Sequence, residues 1–155
     1  MNIYLMTETG WKFFKDVQKE ELDKRNISIG AGASIGEGAS IGAGASIGEW
    51  ASIGARASIG EWASIGEWAS IGEWASIGAR ASIIKQTHCC IITNLGSRNA
   101  PLTAYVHKDS IFIGTGCYLG DIKDFEKKVK NVHGNNEYGV SYLKALEYVK
   151  SVLKG

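Results

Sequence analysis

Isoleucine stands at positions 29, 35, 41, 47, 53, 59, 65, 71, 77 and 83, without a miss at an interval of six. Glycine follows each one until Ile84 takes that place, and the unit reads Ile-Gly-x-x-Ala-Ser. Internal self-similarity of this kind outranks every other signal in the chain. Six is a multiple of the strand period of two and fits the helical 3.6 poorly. Each Ile and the Ala two residues before it, such as Ile35 and Ala33, therefore point to one side of a strand, and the intervening Ser points away.

The glycine content follows from the repeat. Twelve of the 20 glycines lie between Gly30 and Gly78, and the single proline, Pro101, lies outside. This pattern excludes collagen and a flexible linker. No apolar run approaches the ~20 residues of a membrane-spanning helix. The start of the chain shows neither the basic stretch nor the small-residue cleavage site of a signal peptide. Three cysteines read as reduced thiols, so a cytoplasmic setting is expected. The net charge of +1 hides a division: residues 27–83 sum to −3 and residues 84–155 to +4. That basic excess is too weak to imply nucleic-acid binding.

The unit resembles the hexapeptide repeat of left-handed parallel β-helices, over residues 27–83. The resemblance implies a mainly β fold, a triangular solenoid in which three units close one coil. Ile would fill the interior, Ala would sit near a corner, and Gly-x-x would turn the chain. Ten units give just over three coils, about 15 Å tall at ~4.8 Å per coil. Its left-handed crossovers run against the usual hand of parallel connections. Known members are trimeric acyltransferases with a catalytic His near a subunit interface, and γ-class carbonic anhydrases with three His ligands. Residues 27–83 here contain no His, Cys, Asp, Lys or Tyr and no inserted loop. The three histidines, His88, His107 and His133, all lie beyond the repeat. The solenoid therefore reads as a spacer or trimerisation stalk.

The second residue of each variable pair sits where the family needs a left-handed backbone. Gly32, Gly38 and Gly44 meet that demand easily. Trp50, Arg56, Trp62, Trp68, Trp74 and Arg80 would do so at ~1–2 kcal/mol each. One coil apart, Trp50 would stack under Trp68, Arg56 under Trp74, and Trp62 under Arg80. These ladders either stiffen the prism or form a subunit or ligand surface.

Residues 1–26 are expected to cap the solenoid, with a short strand at Ile3–Met6. A helix would follow, with Trp11, Phe14, Val17 and Leu22 on one face. The solenoid spans 27–84. Residues 85–155 read as a small α+β domain of three strands (87–93, 102–107, 110–114) and two helices with apolar stripes Ile122, Phe125, Val129, Val132 and Tyr142, Leu146, Val149, Leu153. The stretches Asn94–Asn99, Thr115–Gly120 and His133–Gly139 resemble a small C-terminal domain of phage and bacterial proteins without an established activity.

Two segments are candidate ligand sites. Ser97, Arg98 and Asn99 form a polar loop that offers backbone amides and a guanidinium to an anion. Thr115 and Gly116, in a Gly114-x-Gly segment read at a strand-to-helix junction, could bring helix-start amides onto an anion. His88, Cys89, Cys90 and Cys117 carry the right atoms for zinc, but adjacent Cys89 and Cys90 alternate faces in a strand and rarely bind one ion together. No catalytic residue, metal or cofactor is expected. The chain is thus read as a non-enzymatic homotrimeric scaffold. Its C-terminal domain would bind a small anionic ligand, such as a nucleotide sequestered by a phage-encoded sponge, or a protein, but no membrane or nucleic acid. Two alternatives stand beside this: a hexapeptide-class acyltransferase with its site moved to His88 or His107, and a purely structural or consensus-engineered stalk.

Overall fold

The computed structural model describes residues 1–84, 88–96 and 98–153. The chain divides into two compact units, Met1–Gln86 and Thr87–Gly155. The first unit begins with strands β1 (Ile3–Thr7) and β2 (Gly10–Phe14) and helix α1 (Lys19–Asp23). Ten very short strands follow, one per repeat, from β3 (Ser28–Ile29), β4 (Ser34–Ile35), β5 (Ala39–Ile41) and β6 (Ser46–Ile47) to β12 (Ser82–Ile83).

Each short strand pairs in parallel with the strand three repeats on. Ser34 faces Ser52, Ile35 faces Ile53, and the same offset recurs throughout. The result is a parallel β-solenoid of about three turns with three sheets. Ile and Ala fill the interior: from Ala39 to Ile83 none of these side chains is more than 2% exposed. Each buried Ile contributes roughly 1.5–3 kcal/mol of hydrophobic free energy. Backbone groups are satisfied between coils, as in Ser52 N to Ala69 O (2.8 Å), Gly54 N to Ile71 O (2.7 Å) and, at a corner, Trp68 N to Glu49 O (3.0 Å).

The invariant glycine has a steric cause. A Cβ on Gly54 would lie 2.7 Å from the Cα of Glu73 in the next coil. The coils approach too closely there for any side chain. The corner residues differ. Trp50, Arg56, Trp62, Trp68, Trp74 and Arg80 all adopt φ between 57 and 60°. Two of the three expected ladders form: Trp50 stacks on Trp68 (centroids 5.5 Å apart, 14° between planes), and the Arg56 guanidinium sits 4.7 Å over Trp74. Among the described residues Trp62 and Arg80 make no ring contact; the Trp62 indole instead lies against bare Gly44. All four indoles remain 54–66% exposed.

The N-terminal segment corrects the expected helix. Residues 11–14 form strand β2, not a helical face. Gly10, at φ 108°, closes a two-residue turn, and the Thr7 hydroxyl donates to Gly10 O at 2.7 Å. The alternation of Trp11, Lys12 and Phe13 then matches β1, with Phe13 against Tyr4. The helix shrinks to five residues and buries Leu22. β1 joins the solenoid in parallel with β5, pairing Ile3 with Ala39 and Leu5 with Ile41. This extends one sheet into the order β11-β8-β5-β1-β2, where β8 is Ser58–Ile59 and β11 Ser76–Ile77. The other two sheets end at β3 and β4, where Ile29 and Ile35 are only half-buried.

The second unit holds β13 (Cys89–Leu95), β14 (Ala100–His107), β15 (Ser110–Thr115), β16 (Tyr118–Asp121), α2 (Ile122–His133) and α3 (Glu137–Val152). Its four strands form one antiparallel sheet in chain order. A fourth strand joins the three expected ones: Tyr118–Asp121 is too short to show periodicity and becomes a strand only by pairing with β15. Leu102, Ala104 and Ile113 pack against Ile122, Phe125, Val129, Leu146, Val149 and Leu153. Both helices are capped: Asp121 accepts from Lys123 N (2.7 Å) and Asn136 from Gly139 N (2.9 Å). Val132 departs from its expected stripe and is 65% exposed. Among the described residues no helix is long and apolar enough to cross a membrane.

The corner geometry makes a signed prediction. Arg80→Gly removes a left-handed side chain that has no ring partner and stabilises the solenoid by ~1 kcal/mol. Trp68→Gly gains the same relief but loses the stack, so it changes stability by less than about 0.5 kcal/mol. Gly54→Ala destabilises by ~1–3 kcal/mol through overpacking. Urea denaturation of the three variants against the parent chain checks the order.

Candidate ligand-binding site

The meander of the second unit brings two turns to one end of its sheet. β13 and β15 run in the same direction, so the turn after β13 and the turn after β15 share an end. The first contains Gly96 (φ 66°) and Asn99 (φ 48°), joined by Asn99 N to Gly96 O at 3.3 Å. Arg98 and Asn99 are exposed; Ser97 lies outside the described residues. The second contains Gly116 (φ 53°) and Cys117, flanked by the paired Thr115 and Tyr118.

Gly116 is therefore not at a helix entry. The whole of β16 separates it from the first turn of α2, which starts at the opposite end of the sheet. The expected contribution of helix-start amides beside Thr115 and Gly116 is replaced by a tight hairpin. What stands beside the Gly96 turn is Tyr142 of α3: a Cβ on Gly96 would overlap its phenol.

Tyr142 lines a cleft of about 120 Å³ together with Tyr118, Phe125, Lys128 and His133. Its ring stands edge-on to Phe125 (5.7 Å) and stacked on His133 (5.8 Å). Tyr118 packs on Phe125 at 4.8 Å, and the Lys128 ammonium lies 5.2 Å over the Tyr118 ring. Burial, then the carboxylates of Asp124 and Asp121, push the Tyr118 hydroxyl up in pKa, so it stays a donor, to Asp121 O at 3.2 Å. The exposed edge of Val132 completes the rim.

The charges of this unit are partitioned. Glu126 accepts from Lys130 (2.8 Å) and Lys150 (2.7 Å), and these two hydrogen bonds hold its carboxyl at about 2. Asp124 takes Lys127 at 3.5 Å. Lys128 and Arg98 make no ion pair with a described residue. The cleft thus has flat aromatic walls and an ammonium, Lys128, that lies on a ring without a carboxylate partner among the described residues, which suits an anion that carries a planar group. Sequence reasoning found the Gly96 turn but missed Tyr118, Lys128 and Tyr142. Tyr142 belongs to the apolar stripe of the last helix and Lys128 carries no local signal; only the packing of α2 on α3 and β16 brings them together.

The cysteines offer no competing chemistry. Burial, with the neighbouring Cys90 thiol adding to it, pushes Cys89 up to about 12, and burial raises Cys90 as well. Their register partners are Tyr105 and Ala104, so the two thiols take opposite faces of the sheet. Among the described residues no three His, Cys, Asp or Glu side chains converge on a metal position. His88 is half-buried before β13. His107 sets its ring edge-on to Phe112 (5.2 Å), with Nδ1 buried and unbonded.

Two measurements check this electrostatic layout. The Glu126 carboxyl titrates near 4.5 when unfolded and about 2 when folded, so its stabilisation is complete above pH 4.5 and is lost as pH falls toward 2. Glu126→Gln should lower the melting temperature at neutral pH and flatten its fall below pH 4.5. Iodoacetamide at pH 8 should label one thiol per native chain, exposed Cys117, and three after denaturation.

No protein-family model, no curated protein and no solved structure matches the chain.

Proposed function

We propose that this chain is a non-enzymatic scaffold whose second unit binds a small anionic ligand with a planar aromatic group, of the nucleotide class. The observation that carries this reading is the cleft of Tyr118, Phe125 and Tyr142 flanked by Lys128 and His133. Aromatic side chains supply stacking surface for a base, and unpaired cations supply partners for phosphate. Arg98 and Asn99, in the turn packed against Tyr142, extend the same surface. The repeat supports a carrier role for the first unit, since its outward positions are Ser and its interior is sealed by Ile and Ala.

In this reading the solenoid is a hexapeptide-repeat, left-handed β-helix, and the chain assembles as a homotrimer. Exposed indoles at the corners support an assembly role, because a monomer has no use for so much aromatic surface. The most specific form of the proposal is a phage-encoded sponge that holds a host nucleotide signal without turning it over.

Calorimetric titration with mono-, di- and cyclic nucleotides tests the proposal, with inorganic phosphate as the ligand lacking a base. At least one nucleotide should bind at micromolar concentration and be recovered unchanged. Lys128→Glu should weaken that binding about tenfold or more, the loss of one charge-assisted contact. Arg98→Glu should act in the same direction, and neither variant should move the melting temperature. No heat with any nucleotide, from protein of confirmed fold, removes the proposal. Native mass spectrometry reads the trimer independently.

A further inference from the structure

The three corners of the solenoid are not equivalent. Stacked in register, one corner carries the column Glu37, Ala55, Glu73 beside the column Gly38, Arg56, Trp74. The others carry Ala31, Glu49, Glu67 and Ala43, Glu61, Ala79 in the first position. Only the first of these corners has a glutamate in its lowest coil. It is also the corner to which the N-terminal hairpin is tied, through Gly38 N to Asn2 O at 2.8 Å.

The hairpin and this corner together enclose a groove of about 490 Å³, within the size range of small-molecule sites. Tyr4 and Phe13 form one wall, their rings 5.1 Å apart and their side chains about two-fifths exposed. Trp74 and the Arg56 guanidinium stacked on it form the other. Gly38 and Ala55 leave the floor low, and Glu37 and Glu73 line it.

Charge decides what such a groove takes. Glu37 and Glu73 make no ion pair with any described residue, and Arg56 spends its cation on the face of Trp74. The lining therefore sums to −1, next to aromatic faces whose quadrupole also favours positive charge. An anion would meet two carboxylates. A neutral apolar ligand would bury them without compensation. A soft organic cation satisfies both the carboxylate and the rings, and Arg56 on Trp74 shows a cation held on a ring face at this corner.

We propose that this groove binds a small organic ammonium ion of the quaternary ammonium class, its charge held between Glu37 and the rings of Tyr4 and Phe13. The site lies wholly in the first unit and takes a ligand of opposite charge to the one proposed for the second, so the two stand or fall separately.

Titration of the full chain with choline chloride, followed by the amide and indole NMR signals, tests the proposal, with sodium chloride as the ionic control. Choline should give saturable shifts centred on Tyr4, Phe13 and Trp74 that sodium does not reproduce. Glu37→Gln should weaken binding about tenfold, and Glu67→Gln, at another corner, should leave it unchanged. Arg56→Gly gives the opposite sign: it removes a like charge at a φ of 57° that glycine accepts, and should tighten binding about threefold. Any one of three results overturns the proposal: no saturable choline shifts, equal losses in Glu37→Gln and Glu67→Gln, or abolished binding in Arg56→Gly.

Discussion

The close stacking of one coil on the next is the interaction on which the first unit depends. Along the straight segments, backbone N–H and C=O groups are satisfied by the neighbouring coils at 2.7–3.0 Å, and corner bonds such as Ala51 N to Gly48 O (3.3 Å) add to these within a coil. That spacing leaves no room for a Cβ at the repeat glycine, as Gly54 and Glu73 show. It also brings equivalent side chains of successive coils into contact, so an interior of Ile on Ile and corners of Trp on Trp follow from the same constraint. β1 uses it too: by laying Ile3–Leu5 along Ala39–Ile41 it continues one sheet and covers its edge.

The corners show how a local cost is balanced by tertiary contact. A left-handed tryptophan or arginine costs ~1–2 kcal/mol, and a stacked ring or a guanidinium on a ring returns ~0.5–1.5 kcal/mol. Trp50 with Trp68 and Arg56 with Trp74 each hold two left-handed residues, so one contact offsets part of their cost, whereas Arg80 gains no such offset. The solenoid therefore tolerates aromatic corners without depending on them. Their conformational cost is spent on residues that stand in solvent, where they are free to meet a ligand or a partner.

The two units handle charge in opposite ways. In the second, Glu126 and Asp124 take up Lys130, Lys150 and Lys127, and Lys128, without a carboxylate partner among the described residues, lies over the Tyr118 ring. In the solenoid of the first, no glutamate takes an ion pair among the described residues, and Arg56 lies on the Trp74 ring. Regular repetition alone would give every corner the same surface. The places where regularity fails, the Glu37–Gly38 unit and the hairpin beside it, are the places where the first unit acquires a concave, chemically mixed surface.

The resemblance of the unit to a hexapeptide repeat implied the closure of three units into one coil and the left-handed corner residues. The repeat by itself determined short strands with an Ile and Ala interior, because these depend on a period that local sequence states outright. The helices of the second unit were legible for the same reason, from the stripes through Ile122, Phe125 and Val129 and the stop at Gly134. Tertiary structure decided what has no period. Residues 11–14 carry apolar side chains compatible with helix or strand, and the turn at Gly10 and the face of Tyr4 made them a strand. Tyr118–Asp121 is a strand only because β15 offers an edge. The candidate clefts were the least legible parts, since Lys128 meets Tyr118, and Tyr4 and Phe13 share a groove with Glu37, through pairings that no local pattern encodes.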